Sequence, residues 1–133
     1  MTNLVPTLET CKELKDNGFK QEGRVFYWNH YVHSKNPMES KQDYWSLRNC
    51  IESSEYYAAP LSGELGEEFK ELYIDNTEVQ VVSYWSESEN KWRCSSGKPM
   101  DEAPNEFVSK ADTEAECRAL YWLHLKKNGL MEV

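Results

Sequence analysis

Polar and apolar residues change rhythm several times along this chain, and each change marks an element. Leu8, Cys11 and Leu14 recur at helical spacing and predict a short first helix. Thr7 is placed to cap it, Pro6 rules out helix before that point, and Asn17-Gly18 ends it. Phe19 follows where it can pack back on the last turn.

From Arg24 to Val32 the chain reads R-V-F-Y-W-N-H-Y-V, rich in β-branched and aromatic residues, and predicts a strand. Val25, Tyr27, Asn29 and Tyr31 share one face; Arg24, Phe26, Trp28 and His30 share the other. Neither face is cleanly polar, so both are expected to be partly covered. Residues 33–43, polar and broken by Pro37, predict a loop. Tyr44 to Leu47 predicts a short second strand, interrupted by Arg48-Asn49-Cys50.

Tyr56 to Pro60 leads into a second predicted helix with Leu61, Leu65, Phe69 and Leu72 on one stripe. Gly63 and Gly66 cost this helix about 1 kcal/mol each relative to alanine, so it depends on tertiary packing. Its outer face is acidic, with Glu64, Glu67, Glu68 and Glu71. Glu78–Ser86 and Asn90–Ser95 predict a β-hairpin turning in the polar stretch between them. Residues 96–110, with Gly97, Pro99 and Pro104, predict a long loop.

The last helix is predicted from Thr113 to Asn128. Thr113-Glu114-Ala115-Glu116 has the pattern of a capping box, and acids first with Lys126-Lys127 last suit the helix dipole. Its apolar residues spread round most of the wheel: Leu120 and Leu123 on one side, Tyr121, Trp122 and Leu125 on another. Such a helix is buried on two sides. Either the fold encloses it, or Tyr121, Trp122 and Leu125 meet another subunit in a homodimer. The order α-β-(β)-α-β-β-α predicts an α+β fold, one domain over residues 1–133, with a small antiparallel sheet and helices packed mainly on one face.

Four of the five tryptophans follow a tyrosine: Tyr27-Trp28, Tyr44-Trp45, Tyr84-Trp85 and Tyr121-Trp122. On a strand such a pair sends its rings to opposite faces. Trp28, Tyr31, Tyr84 and Trp85 are therefore candidates to line an aromatic cleft for a small planar ligand such as a nucleotide, where stacking on a base is worth ~1–3 kcal/mol.

Charge narrows the partners. The net charge is −8, made of +1 over residues 1–50 (seven Lys/Arg, six Asp/Glu) and −9 over residues 51–133 (eight and seventeen). Such a surface repels phosphate backbones and disfavours direct nucleic-acid binding. The glutamates at 64, 67, 68 and 71 are the candidate acidic patch for a basic protein partner. No apolar run is long enough to span a membrane, and the first residues hold no secretory pattern, so a cytosolic protein is expected. The four cysteines lack C-x-x-C spacing and read as free, buried thiols. His30 and His33 face opposite ways on a continuous strand, which is poor for one metal; with His33 in the loop a site would still need a third ligand such as Cys50 or Cys94, whose position nothing in the sequence fixes. No nucleotide-binding, zinc-protease or serine-hydrolase motif is present, and no catalytic residue, cofactor or metal is assigned.

Four segments together carry a resemblance: T-L-E-T-C-K-E-L-K-D-N-G-F (Thr7–Phe19), the aromatic strand ending Y-W, A-P-L-S-G-E-L-G-E-E-F (Ala59–Phe69) and A-D-T-E-A-E-C-R-A-L-Y-W-L-H-L-K-K-N-G-L (Ala111–Leu130). The chain resembles a loose group of small proteins from tailed bacteriophages and prophages of gut bacteria. The likeness covers about half the chain, rests on capped helices, and transfers no site residue. It implies a phage-derived protein in a bacterial cytoplasm. The expected function is a non-enzymatic accessory protein that binds a host or phage protein; the alternative is a small-molecule module using the aromatic cleft.

Overall fold

The computed structural model describes residues 2–33, 42–70, 72–74, 77–96 and 107–130. After a 3-10 turn at Thr2–Leu4, the first helix, α1, is Leu8–Asp16. Three strands follow: β1 (Phe26–His33), β2 (Gln42–Arg48) and β3 (Tyr56–Ala59). Then come α2 (Ser62–Glu68), a two-residue pair β4 (Tyr73–Ile74) and β5 (Thr77–Glu78), and β6 (Val81–Ser86), β7 (Lys91–Ser96) and β8 (Ser109–Ala111). The chain closes with α3 (Glu114–Lys127). The class is α+β, as expected, but the strands form two three-stranded antiparallel sheets, ordered β2-β1-β3 and β6-β7-β8, plus the β4-β5 pair.

Four departures from the sequence reading concern strands. The hairpin arm expected at Glu78–Ser86 begins only at Val81, while Glu78 pairs with Tyr73. Tyr56–Ala59 is a strand against β1, not a lead into α2. Ser109 and Lys110, expected in loop, form a strand with Ala111 that pairs with β7 through Trp92, Arg93 and Cys94. His33, Gln42 and Asp43, also expected in loop, continue the β1-β2 ladder. Short strands such as β3 and β8 owe their conformation to a neighbour's hydrogen bonds rather than to their own pattern. Most of the loops expected at 33–43 and 96–110 lies outside the described residues.

The core centres on α3. Cys117, Ala119, Tyr121, Trp122, Leu123 and Leu125 are all buried, and they pack with Leu14 and Phe19 beside α1, with Leu65, Phe69 and Leu72 around α2, and with Cys94 and Ala111 of the second sheet. Phe19 meets the Trp122 ring edge-on at 5.2 Å and Phe69 meets Tyr121 at 5.9 Å. Tyr121, Trp122 and Leu125 are 2%, 1% and 1% exposed. The two-sided helix is thus enclosed by its own fold, and these residues present no face to a second subunit. A smaller cluster of Val5, Cys11 and Ala59 joins α1 to the first sheet, with Phe26, Trp28, Leu47, Tyr57 and Leu61 against it.

The capping pattern at Thr113 resolves in an unexpected way. Thr113 Oγ1 accepts from the Glu116 N–H at 3.2 Å, which is half of the box. The Glu116 carboxylate turns to α1 instead, accepting from Thr7 N–H at 2.8 Å and Thr10 Oγ1–H at 2.6 Å. One helix thereby satisfies a backbone donor and a hydroxyl at the start of another. Glu64 does reach back to its own helix start, accepting from Leu61 N–H at 2.9 Å.

The two α2 glycines differ in purpose. A methyl at Gly66 would lie 2.8 Å from Arg118 Nη1, the atom that donates to Ser62 O at 2.7 Å, whereas a methyl at Gly63 meets nothing within 4 Å.

Glu116→Ala removes both α1 bonds and should cost about 2 kcal/mol, with Glu116→Gln retaining part of that; urea unfolding monitored by circular dichroism measures both. Gly63→Ala should stabilise the protein by about 0.5–1 kcal/mol through helix propensity, and Gly66→Ala should not reproduce the gain. Equal gains at both positions would remove the role given to the Arg118 contact.

Candidate functional site

Strand β1 is twice as long as β3, and this length mismatch shapes the most exposed part of the protein. β3 pairs with Phe26 to Asn29, and Glu55 O accepts one further bond from His30 N–H at 3.0 Å. Beyond that point β1 and β2 run on together as a two-stranded ribbon, in an unbroken register from Tyr27↔Arg48 to His33↔Gln42. Strands that lose a neighbour expose side chains on both faces.

One face of this region carries Trp28, His30 and Val32 against Leu47, Trp45 and Asp43. His30 stacks on Trp45 with ring centroids 4.8 Å apart, and Trp45 leans on Tyr57 at 5.4 Å. The His30 imidazole lies between two carboxylates, with Nδ1 at 3.1 Å from Glu55 and Nε2 at 3.7 Å from Asp43. From α1, the Lys12 ammonium sits 5.4 Å above the Trp45 ring and Lys15 sits 5.2 Å above Tyr57.

The other face carries Tyr27, Asn29 and Tyr31 against Arg48, Ser46 and Tyr44. Asn29 is fully buried and anchors the loop that follows β2. Its Oδ1 accepts from Glu52 N–H at 2.8 Å and Ser53 N–H at 3.1 Å, and its Nδ2–H donates to Cys50 O at 3.0 Å. Tyr31 stacks on Tyr44 at 5.2 Å and donates its hydroxyl to Glu52 at 2.7 Å. That bond holds the phenol proton, so the Tyr31 pKa rises; the same bond, with one from the Cys50 thiol, lowers that of Glu52. Three apolar side chains stand out at this end: Val32, Tyr44 and Ile51 are 54%, 48% and 46% exposed.

The structure separates the residues that the sequence grouped. Trp28 is half-buried against the Val5, Cys11 and Ala59 cluster, and its indole N–H points to Pro6 O at 3.4 Å. Tyr31 lies on the opposite face of the same strand. Tyr84 and Trp85 belong to the second sheet, where the Arg93 guanidinium lies 5.8 Å over Tyr84 and Trp85 meets Trp92 edge-on at 6.0 Å. The four rings line no common cleft. The acidic patch is also weaker than its sequence suggests. Glu64 is turned inward, 3.6 Å from Arg24, and Glu67 pairs with Lys70 at 2.8 Å. Glu68 is exposed, and Glu71 lies outside the described residues.

Cys11, Cys94 and Cys117 are buried, but Cys50 is exposed, against expectation. Burial pushes the Cys11 thiol far up and that of Cys94 up to about 12. Cys117 is also raised by burial, and Cys50 by its bond to Glu52. These shifts hold the thiols protonated at neutral pH, which is poor for nucleophilic chemistry. Among the described residues no three His, Cys, Asp or Glu side chains gather where they could hold a metal, and no helix is long and apolar enough to cross a membrane.

Sequence reasoning did not find the His30-Trp45 stack with its flanking acids. Its members come from β1, β2 and the segment before β3, and only the register brings them together. Away from the ribbon, a groove of about 430 Å3 between α3 and residues 107–110 is lined by Leu120, Leu123 and His124, with Phe107 stacked on His124 at 3.8 Å. Compared with protein-family models, with curated proteins and with solved structures, the chain matches none.

Burial lowers the His124 pKa from its ordinary 6.5. A folded pKa below the unfolded one gives stability that is present above the unfolded value and is lost as pH falls through the folded value. The denaturation midpoint should therefore drop between about pH 7 and pH 5, and His124→Gln should flatten that part of the profile. An unchanged slope in the variant would show that His124 is not responsible.

Proposed function

We propose that this is a non-enzymatic accessory protein of phage origin that acts in the bacterial cytoplasm by binding another protein, and that the free end of the β1-β2 ribbon is its contact surface. One observation carries the reading: where β1 and β2 outrun β3, Tyr44 is exposed on one face of the ribbon and Val32 on the other. On the Tyr44 face the exposed ring stacks on Tyr31, which Arg48 and Glu52 flank, an aromatic centre with a polar rim of the kind found at interfaces. The Tyr31-Tyr44 stack and the Asn29 anchor hold that surface in place before binding, which lowers the ordering cost of association. The raised thiol pKa values favour a binding role over thiolate chemistry. The small-molecule alternative has less support, because Trp28, Tyr31, Tyr84 and Trp85 lie on two sheets.

The test is the double substitution Val32→Asp, Tyr44→Asp in a tagged protein expressed in a bacterial host. Both positions are exposed, so the melting temperature should move by no more than a few degrees, in line with about 0.5 kcal/mol per surface change. Wild type should retain a stoichiometric protein after chemical cross-linking and mass spectrometry, and the variant should lose it. Retention of the same protein by the folded variant would place the contact elsewhere. A thermal shift with a nucleotide would instead favour the alternative.

A further inference from the structure

We propose that Asn128-Gly129 is a site of spontaneous deamidation in the folded protein, and that the matching dipeptide at the end of α1, Asn17-Gly18, is shielded from the same reaction. The sequence holds these two Asn-Gly pairs and no others. Glycine after asparagine favours the chemistry because it has no Cβ to block the approach of its own backbone nitrogen. That nitrogen, having lost its proton to water, attacks the asparagine Cγ. The new N–C bond closes a five-membered succinimide, the Cγ–Nδ2 bond breaks, and Nδ2 leaves as ammonia after taking up a proton. Water then opens the ring to aspartate or isoaspartate, so the net change is one water consumed and one ammonia released.

The two helix ends have nearly the same backbone. Asn17 and Asn128 both sit at φ −99°, with ψ 14° and 7°, and the glycines that follow are left-handed at φ 89° and 65°. Gly18 N–H donates to Lys15 O at 3.0 Å and Phe19 N–H to Leu14 O at 2.9 Å; Gly129 N–H donates to Lys126 O at 3.2 Å and Leu130 N–H to Leu125 O at 2.9 Å. The side-chain amides match as well: Asn17 Nδ2 donates to Glu13 O and Asn128 Nδ2 to His124 O, each at 2.8 Å. In this conformation both reacting groups are engaged, the glycine N–H with one carbonyl and the asparagine amide with another. Reaction therefore requires the turn to open.

What differs is the residue that locks the turn. After Gly18 it is Phe19, 2% exposed, whose ring lies against Trp122 and 4.4 Å from the Arg24 guanidinium. Opening that turn pulls an aromatic ring out of the core. After Gly129 it is Leu130, 38% exposed; Asn128 and Gly129 are exposed as well, whereas Asn17 is half-buried. Little apolar contact opposes opening there, so this end belongs to the low-stability part of the fold. The product does not restore the turn: a carboxylate cannot donate to His124 O, and it adds negative charge where the helix dipole is already negative. It also stands beside the His124 ring, whose Nδ1 lies 3.3 Å from Asn128 Nδ2 and which lines the groove beside Phe107. Deamidation thus loosens the last turn of α3 and alters one wall of that groove as the protein ages. The site is independent of the ribbon and of its role as a contact surface.

Purified protein held in mildly alkaline buffer at physiological temperature, then digested and mapped by mass spectrometry, reads the two sites separately. Asn128 should convert about tenfold faster than Asn17 or more, because the two turns differ in local opening. In guanidinium chloride, where both turns are lost, the two rates should come within a few-fold of each other, which assigns the difference to the fold rather than to neighbouring residues. Hydrogen exchange gives a second reading: the Leu130 N–H should exchange about tenfold faster than the Phe19 N–H or more, although both donate at 2.9 Å. Asn128→Asp sets the product in place and should move the His124 imidazole titration, followed by nuclear magnetic resonance, to higher pH; no movement would remove the effect on the groove. Equal conversion of the two sites in the folded protein overturns the proposal, as does an Asn17 that reacts first, equal exchange at Phe19 and Leu130, or an Asn128 that survives in the folded protein while it converts in the unfolded chain.

Discussion

The fold depends on the burial of α3 over most of its circumference. A helix with Cys117, Ala119, Tyr121, Trp122, Leu123 and Leu125 all out of water must be covered on several sides at once. α1 and α2 supply two of the covering surfaces, and the β6-β7-β8 sheet supplies the third. That demand explains why two small sheets and two short helices, none with enough apolar area alone, hold together as one body.

Enclosing a helix also obliges its polar groups to find partners within the fold. Glu116 caps α1 rather than its own helix. Glu114 accepts from Ser62 at 2.6 Å and Ser83 at 3.1 Å, and Arg118 donates to Ser83 at 3.0 Å and to Ser62 O, so α3 is tied by hydrogen bonds to α2 and β6. Ser109 Oγ–H donates to Cys117 O at 2.8 Å and fastens β8. The Trp122 indole N–H is buried with no acceptor among the described residues, the one such group on this helix. Directional bonds of this kind fix which surface covers which side, where apolar contact alone would not.

The same commitment leaves the first sheet at the margin. It is held to α1 by the small Val5, Cys11 and Ala59 cluster and by lysines over its aromatic rings, while its far end reaches beyond β3. Aromatic residues there do different work from those around α3. Phe19, Phe69 and Tyr121 fill the core; Tyr44 stacks on Tyr31 and still faces water.

The sequence by itself determined the helices, the β6-β7 hairpin, the α+β class and the two-sided burial of the last helix, though not what covers it. These are signals of short range: helical spacing, cap residues and period-two alternation act within a few residues of one another. It could not decide that Tyr56–Ala59 and Ser109–Ala111 are strands, because three or four residues take that form only when a neighbour's backbone is present. It could not decide where Glu116 points, since a capping glutamate and a cross-helix glutamate look alike until α1 is in place. Nor could it separate Trp28 and Tyr31 from Tyr84 and Trp85, or join His30 to Trp45, Asp43 and Glu55. Strand register and the assignment of strands to sheets bring distant residues together, and those are set by long-range pairing, which leaves no local mark in the chain.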